Sequence, residues 1–288
     1  MPYDAPETLA LIDAALAEDL GTSGDVTCRC LVPASAQLTA VLTAKQAGVV
    51  CGLPLWPLVF ARAGGQVVVD ELVSDGTKVS AGTVVMRAHG KAQTLLQAER
   101  TALNLVQALS GTATMAARYA QEVAGTRAKV FDTRKTIPGL RRLQKHAVAM
   151  GGGANHRMGL FDQVLIKENH ISLMGTAKEG SAPAEAVRRC RETLGPQAIV
   201  EVEIEHLSDL DPCIRAGANI VLCDNMSPEQ LQEAVQIRAG RPVELEASGG
   251  ITLATLRAYA QTGIERISVG ALTHSVPALD LSLRCYQV

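Results

Sequence analysis

Apolar residues along the chain keep two different rhythms, and the change between them falls near residue 110. Residues 5–18 place Leu9, Ile12, Ala15 and Leu16 at helical spacing, which predicts an amphipathic helix broken by GTSGDVT at 21–27. Between 37 and 90, short β-rich runs such as QLTAVLTAK and GTVVMRAHG alternate with turn signals that include Asp75-Gly76. A helix over 54–63 interrupts them, so this part predicts a small α+β unit on an antiparallel sheet. Residues 92–109 then form a helix with Leu95, Leu96, Leu103, Val106 and Leu109 as its buried stripe, and Ser110-Gly111 supplies a glycine C-cap. Arg100 and Asn104 lie four residues apart on another face of it.

From about 128 the rhythm becomes strand-then-helix. The strands are 128–132, 163–167, 198–203, 219–224, 243–247 and 266–270, with helical patterns near 139–150, 182–194, 206–216, 227–238 and 252–262. Continuous apolar strands separated by helices predict a parallel sheet covered by helices. Its polar residues decide between a barrel and an open sheet. Asp132-Thr133-Arg134-Lys135, Lys167, Glu203, Asp224, Ser248-Gly249-Gly250 and Gly270 each fall at or just past a strand's C-terminal end. Six strands delivering polar groups to one rim is the barrel pattern. An open sheet would concentrate them at one switch point.

Composition narrows the function classes. A chain of 288 residues accommodates two modest domains. Aromatic residues make up 3%, so stacking platforms for bases are scarce, and a net charge of −2 argues against duplex binding or a membrane surface. No basic-then-apolar leader and no membrane-length apolar run stands out, so the expectation is a cytoplasmic protein. Cys28-Arg29-Cys30 is too tight for the usual zinc spacing, and the seven cysteines are expected to be buried free thiols.

Against that neutral background, residues 131–171 are unusual. They hold Arg134, Lys135, Arg141, Arg142, Lys145, Arg157 and Lys167 but only Asp132, Asp162 and Glu168 as acids. A solvated helix face is the ordinary source of such a cluster. Here Pro138-Gly139 and Gly151-Gly152-Gly153 break it into turns, and cations on irregular segments suit a small, highly charged anion. Glu203 and Asp224, on neighbouring strands, would hold Mg²⁺ or sugar hydroxyls. Glu201 has the same strand parity, so the residues alone leave it as an alternative to Glu203. Ser248-Gly249-Gly250 and Gly270-Ala271-Leu272-Thr273-His274 follow the last two strands, and glycines there let backbone N–H groups approach a monophosphate ester. There is no P-loop. Lys135 and Lys167 at strand ends leave a Schiff-base aldolase as a rival class.

The motifs DTRKTIPGLR, GGGANHRMGL, LIKENHI, EVE, DNM, EASGGI and SVGALTHS, in that order, resemble the quinolinate phosphoribosyltransferases. The resemblance implies an incomplete, seven-stranded α/β barrel (111–275) preceded by a smaller α+β open-sandwich domain (1–110), to which the tail 276–288 returns. It implies transfer of phosphoribose from phosphoribosyl pyrophosphate to quinolinate with decarboxylation, giving nicotinate mononucleotide, pyrophosphate and CO₂, with Mg²⁺ as cofactor. By the same resemblance Arg134, His156, Arg157 and Lys167 embrace quinolinate, with Arg100 contributed by the neighbouring subunit of a homodimer or of a hexamer built as a trimer of dimers. Lys135 contacts pyrophosphate, His274 lies near the phosphate end, and the family's spacing selects Glu203, with Asp224, for ribose and metal. The implied catalytic set is Lys135, Lys167, Glu203 and Asp224. Two carboxylates meeting a pyrophosphate would repel strongly without such cations. Nicotinate phosphoribosyltransferase, the paralogues associated with molybdate transport, and a non-catalytic binding protein are the rivals on the same scaffold. The KENH segment and the complete set of cations favour quinolinate.

Overall fold

Alternation in QLTAVLTA produces a strand, Gln37–Ala44, whose every second residue is buried. In this computed structural model, which describes residues 2–65, 67–175 and 181–287, that strand lies between Val84–Lys91 and Leu281–Gln287. Val67–Glu71 completes a four-stranded antiparallel sheet beyond Val84–Lys91. Register pairs Ala40 with Ala88 on one side and with Cys285 on the other. Ile12, Leu42, Trp56, Phe60, Met86, Leu95 and Leu109 are fully buried in the same cluster, drawn from the sheet and from the helices Pro6–Leu20, Leu55–Arg62 and Ala92–Glu122.

Two compact units emerge. The first combines Met1–Ala117, Thr136–Gly152 and Ala271–Val288, and the second Arg118–Lys135 and Gly153–Gly270. Segment 136–152 thus leaves the 111–275 range because its helix, Arg141–Met150, sends Leu143 and Ala147 into the first unit's core. A second departure concerns Gly111, expected to cap a helix but found inside one that continues to Glu122. Its lack of a Cβ serves a close approach: a methyl group there would collide with the Pro277 carbonyl oxygen and lie 3.1 Å from Ala278 Cα. GTSGDVT also does more than end a helix, since Asp25 caps a short one, Val26–Leu31, by accepting the Cys28 N–H at 2.9 Å.

The second unit is α/β and barrel-like. Its six parallel strands run in the order Lys129–Phe131, Arg266–Ser268, Glu244–Ser248, Ile220–Asp224, Val200–Ile204, Val164–Ile166. First and last strands in sequence are therefore neighbours, as in a closed barrel read from its seam. Among the described residues a seventh strand is replaced by a single parallel bridge, Phe131 to Ala154. That ladder stops after one residue because Gly153 offers no side chain to pack and His156 turns its N–H to the Asp132 carboxylate at 2.9 Å. Helices Ala182–Leu194 and Pro228–Arg238 begin at serines that accept the N–H three residues on. The expected 252–262 helix contracts to Leu256–Ala260.

All seven cysteines are free, but Cys30 and Cys285 are exposed rather than buried. Among the described residues no helix is long and apolar enough to cross a membrane.

Candidate active site

Polar residues enter the second unit at two depths, set by how far along its strand each one stands. Glu201 and Glu203 point to the same side of the Val200–Ile204 strand, one layer apart. Glu203 stands at the rim, where its Oε2 is 2.5 Å from Lys167 Nζ. Glu201 is wholly buried beneath it. Depth separates the two acids: Glu203 lies at the rim and Glu201 beneath it.

At the rim, four strand ends converge. Lys167 follows Val164–Ile166, is exposed, and gives its backbone N–H to His170 Nδ1 at 3.0 Å as the helix Glu168–Leu173 begins. Asp224 ends the next strand but one. Burial and then the charge of Glu203 push its carboxyl above the usual range, while Lys167 and Lys135 pull the other way. Lys135, Lys167, Glu203 and Asp224 therefore share one electrostatic neighbourhood. Asn225 Nδ2 donates to Asp224 Oδ2 at 2.7 Å, and the Asn225 N–H reaches Ser248 O at 2.9 Å, tying this strand end to Ser248-Gly249-Gly250. Both glycines have positive φ, 100° and 60°.

A second group is purely cationic at its surface. Burial, and then the neighbouring Arg134 guanidinium, hold Arg157 below the usual arginine range. Arg157 is anchored by donation to Gln163 O at 3.1 Å. Two guanidinium groups placed near each other are stabilised by an anion that both can grip.

Beneath the rim lies a buried layer. His156 Nε2 is 3.0 Å from Glu201 Oε2 and 3.5 Å from Glu246 Oε1, and its Nδ1 lies 2.7 Å from the Arg157 backbone nitrogen. Burial disfavours the charged ring, but the two carboxylates outweigh it and push the pKa up to about 9. Arg266 Nε sits 2.5 Å from Glu246 Oε2 with its guanidinium over the Phe131 ring, Ser268 donates to Glu246, and Gln163 donates to Glu201 at 2.6 Å. Burial and the nearby Glu246 hold Glu201 above the ordinary carboxyl range, whereas His156 and Arg266 keep Glu246 below it.

The expected residues divide accordingly. Lys135, Lys167, Glu203 and Asp224 come together, Arg134 and Arg157 come together, and Ser248, Gly249 and Gly250 adjoin Asp224 through Asn225. Gly270 follows Ser268 by two residues at the C-terminal side of its strand. His156 departs from expectation: its ring nitrogens face Glu201 and the Arg157 amide, so it belongs to the layer below. Arg100 and His274 are exposed residues of the first unit, on the long helix and on Ala271–His274. Sequence reasoning missed Glu246, Arg266, Gln163 and Asn225. A glutamate inside the apolar run VELEA was the one available signal for that layer.

Comparison with known proteins gives a consistent result. Residues 25–110 match the family model for the quinolinate phosphoribosyl transferase N-terminal domain, and 112–284 match the one for its C-terminal domain. The chain is 41% identical to the nicotinate-nucleotide pyrophosphorylase [carboxylating] of Mycobacterium leprae, over 94% of this chain and 95% of that protein. It is 40% identical to quinolinate phosphoribosyltransferase [decarboxylating] 1 of Nicotiana glauca, over 95% of this chain and 81% of that one. The solved structure of the Francisella tularensis nicotinate-nucleotide pyrophosphorylase superposes with a TM-score of 0.91 at 39% identity, covering 99% of both chains.

Proposed function

The chain belongs to the quinolinate phosphoribosyltransferase family, and on that premise we propose how its residues carry out the family's reaction. The enzyme transfers phosphoribose from phosphoribosyl pyrophosphate to quinolinate and releases pyrophosphate, CO₂ and nicotinate mononucleotide, a step of NAD biosynthesis. The observation that carries the residue assignment is a lysine–carboxylate rim together with two neighbouring arginines, Arg134 and Arg157.

Arg134 and Arg157 hold the quinolinate carboxylates, with Lys167 between them and the ribose side. Lys135 receives the pyrophosphate. Glu203 and Asp224 accept hydrogen bonds from ribose hydroxyls and favour positive charge developing at C1 as its bond to pyrophosphate breaks. The pyridine nitrogen attacks C1, and the resulting pyridinium withdraws electrons from C2. The C2–carboxylate bond then breaks, its electron pair stays on C2, CO₂ leaves and C2 takes a proton. The substrate is its own electron sink, so the protein contributes positioning and charge. Ser248, Gly249, Gly250 and Gly270 offer backbone N–H groups to the 5-phosphate.

Glu203 and Asp224 fit Mg²⁺. Their donors are carboxylate oxygens, and the mutual repulsion that raises Asp224 is what a divalent cation relieves. They would hold the ion directly or through water or substrate, and when bound it neutralises pyrophosphate charge. We assign His156 to the layer that supports the quinolinate site from beneath, where its ring bridges Glu201 and Glu246. A Schiff-base lysine needs an uncharged amine among apolar neighbours, whereas Lys167 is exposed and ion-paired. A homodimer in which Arg100 of the partner subunit completes each site, a seventh barrel position filled by the Ala154 segment, and a cytoplasmic location complete this reading.

An absorbance assay with quinolinate, phosphoribosyl pyrophosphate and Mg²⁺ tests it. Turnover should require all three components and vanish when nicotinate replaces quinolinate. Lys167→Ala should lower kcat/KM by about 100-fold or more with the fold intact, by analogy with losing one charge-stabilising donor. Wild-type turnover by that variant would remove Lys167 from the mechanism.

A further inference from the structure

Asn225 follows the rim acid Asp224 and has no part in the reaction described above. Its backbone lies in the left-handed region at φ 54°, a conformation shared with only Ala239 among the described non-glycine residues. Asparagine tolerates that region better than most residues, but it persists where surrounding contacts determine it. Three contacts do so. The backbone N–H donates to Ser248 O at 2.9 Å, and Nδ2 donates to Asp224 Oδ2 at 2.7 Å. On its other side the amide packs against Gly249, where a Cβ would collide with Oδ1 and lie 2.7 Å from Cγ.

We propose that Asn225 is a positioning residue that sets the orientation of the Asp224 carboxylate, and that Gly249 is glycine partly to leave room for the Asn225 amide. This rests on the reading of Asp224 as the ribose- and metal-facing acid. Asp224 stands beside Glu203, so some donor must favour its working orientation. A lysine or arginine would compete with the metal for the same oxygens, while a neutral amide N–H engages one oxygen and leaves the other toward the ligand. The amide's own oxygen is turned away toward Gly249, which keeps a third acceptor off the acidic pair.

A role confined to the turn makes a different prediction. Glycine adopts positive φ without strain, so Asn225→Gly would then be harmless. The experiment is a kinetic double-mutant cycle on the intact enzyme, comparing wild type, Asn225→Gly, Asp224→Asn and the double variant. Phosphoribosyl pyrophosphate and Mg²⁺ are varied at saturating quinolinate, and then quinolinate is varied. Asn225→Gly should keep the wild-type melting temperature and the KM for quinolinate, yet lose about 10- to 100-fold in kcat/KM for phosphoribosyl pyrophosphate. On the Asp224→Asn background the same substitution should cost less than about two-fold, since its target is already gone. Wild-type kinetics for Asn225→Gly, or a full loss retained on Asp224→Asn, overturns the inference. Wild-type activity for Asp224→Asn instead overturns the reading of Asp224. Should Asn225→Gly fail to fold, Asn225→Asp keeps the turn and replaces the donor with an acceptor, and the same kinetic loss is expected; wild-type kinetics there overturns the inference equally.

Discussion

Arg266 shows how a single side chain underwrites the buried layer. Its guanidinium reaches Glu246 at 2.5 Å and Glu244 at 3.1 Å and covers the Phe131 ring. With Glu201 and Glu246 both sealed from solvent, this cation and the His156 ring together keep two carboxylates tolerable in the interior. Arg266→Met removes the charge and keeps most of the volume, so Glu246 loses its closest cation and keeps only His156 and the Ser268 hydroxyl. The expected cost is about 3–5 kcal/mol in urea unfolding, and Glu246→Leu on top should recover a good part of it. A loss below about 1 kcal/mol would mean that water or another group already serves Glu246. None of this was legible from residue types alone. Glu201 and Glu203 have the same parity, and only their depth in the barrel separates a buried acid from a rim acid. The family resemblance implies His156 as a quinolinate contact, and which way its ring faces is not written in its neighbours along the chain.

Among the elements, the long helix gives the sharpest test. Glycine to alanine inside a helix ordinarily gains about 1 kcal/mol. At Gly111 the new methyl group would run into the Pro277 carbonyl, and overpacking of a fixed backbone contact costs about 1–3 kcal/mol or more. The clash outweighs the propensity, so Gly111→Ala should lower the melting temperature; a rise would show that the 277–278 segment yields easily. The same position explains a misreading. Gly111 after Ser110 has the local signature of a helix end, and what overrides it comes from residues far along the chain. The strand ends were legible for the opposite reason: each apolar run stops at a polar group that has to leave the core, so the rim writes itself into the sequence locally. The Ala154 bridge had no such mark, being one residue long amid glycines.

At the scale of the assembled molecule, the proposed contribution of Arg100 across a dimer can be separated from a role within its own subunit. Arg100→Ala and Lys167→Ala should each be nearly inactive alone. If the arginine acts in the partner's site, mixing and reassorting the two variants restores one intact site per mixed dimer, about one quarter of the wild-type activity. No recovery after demonstrated exchange of subunits would place Arg100 outside the neighbour's site.

The sheet of the first unit joins segments far apart in the chain, with Leu38–Ala44 pairing with Leu281–Gln287. During synthesis Gln37–Ala44 is made long before Leu281–Gln287, so one of its edges stays bare until that later strand arrives. Such an edge is an invitation to foreign strands. Arrival of Leu281–Gln287 is thus the step that closes this edge, a latch supplied from far along the chain.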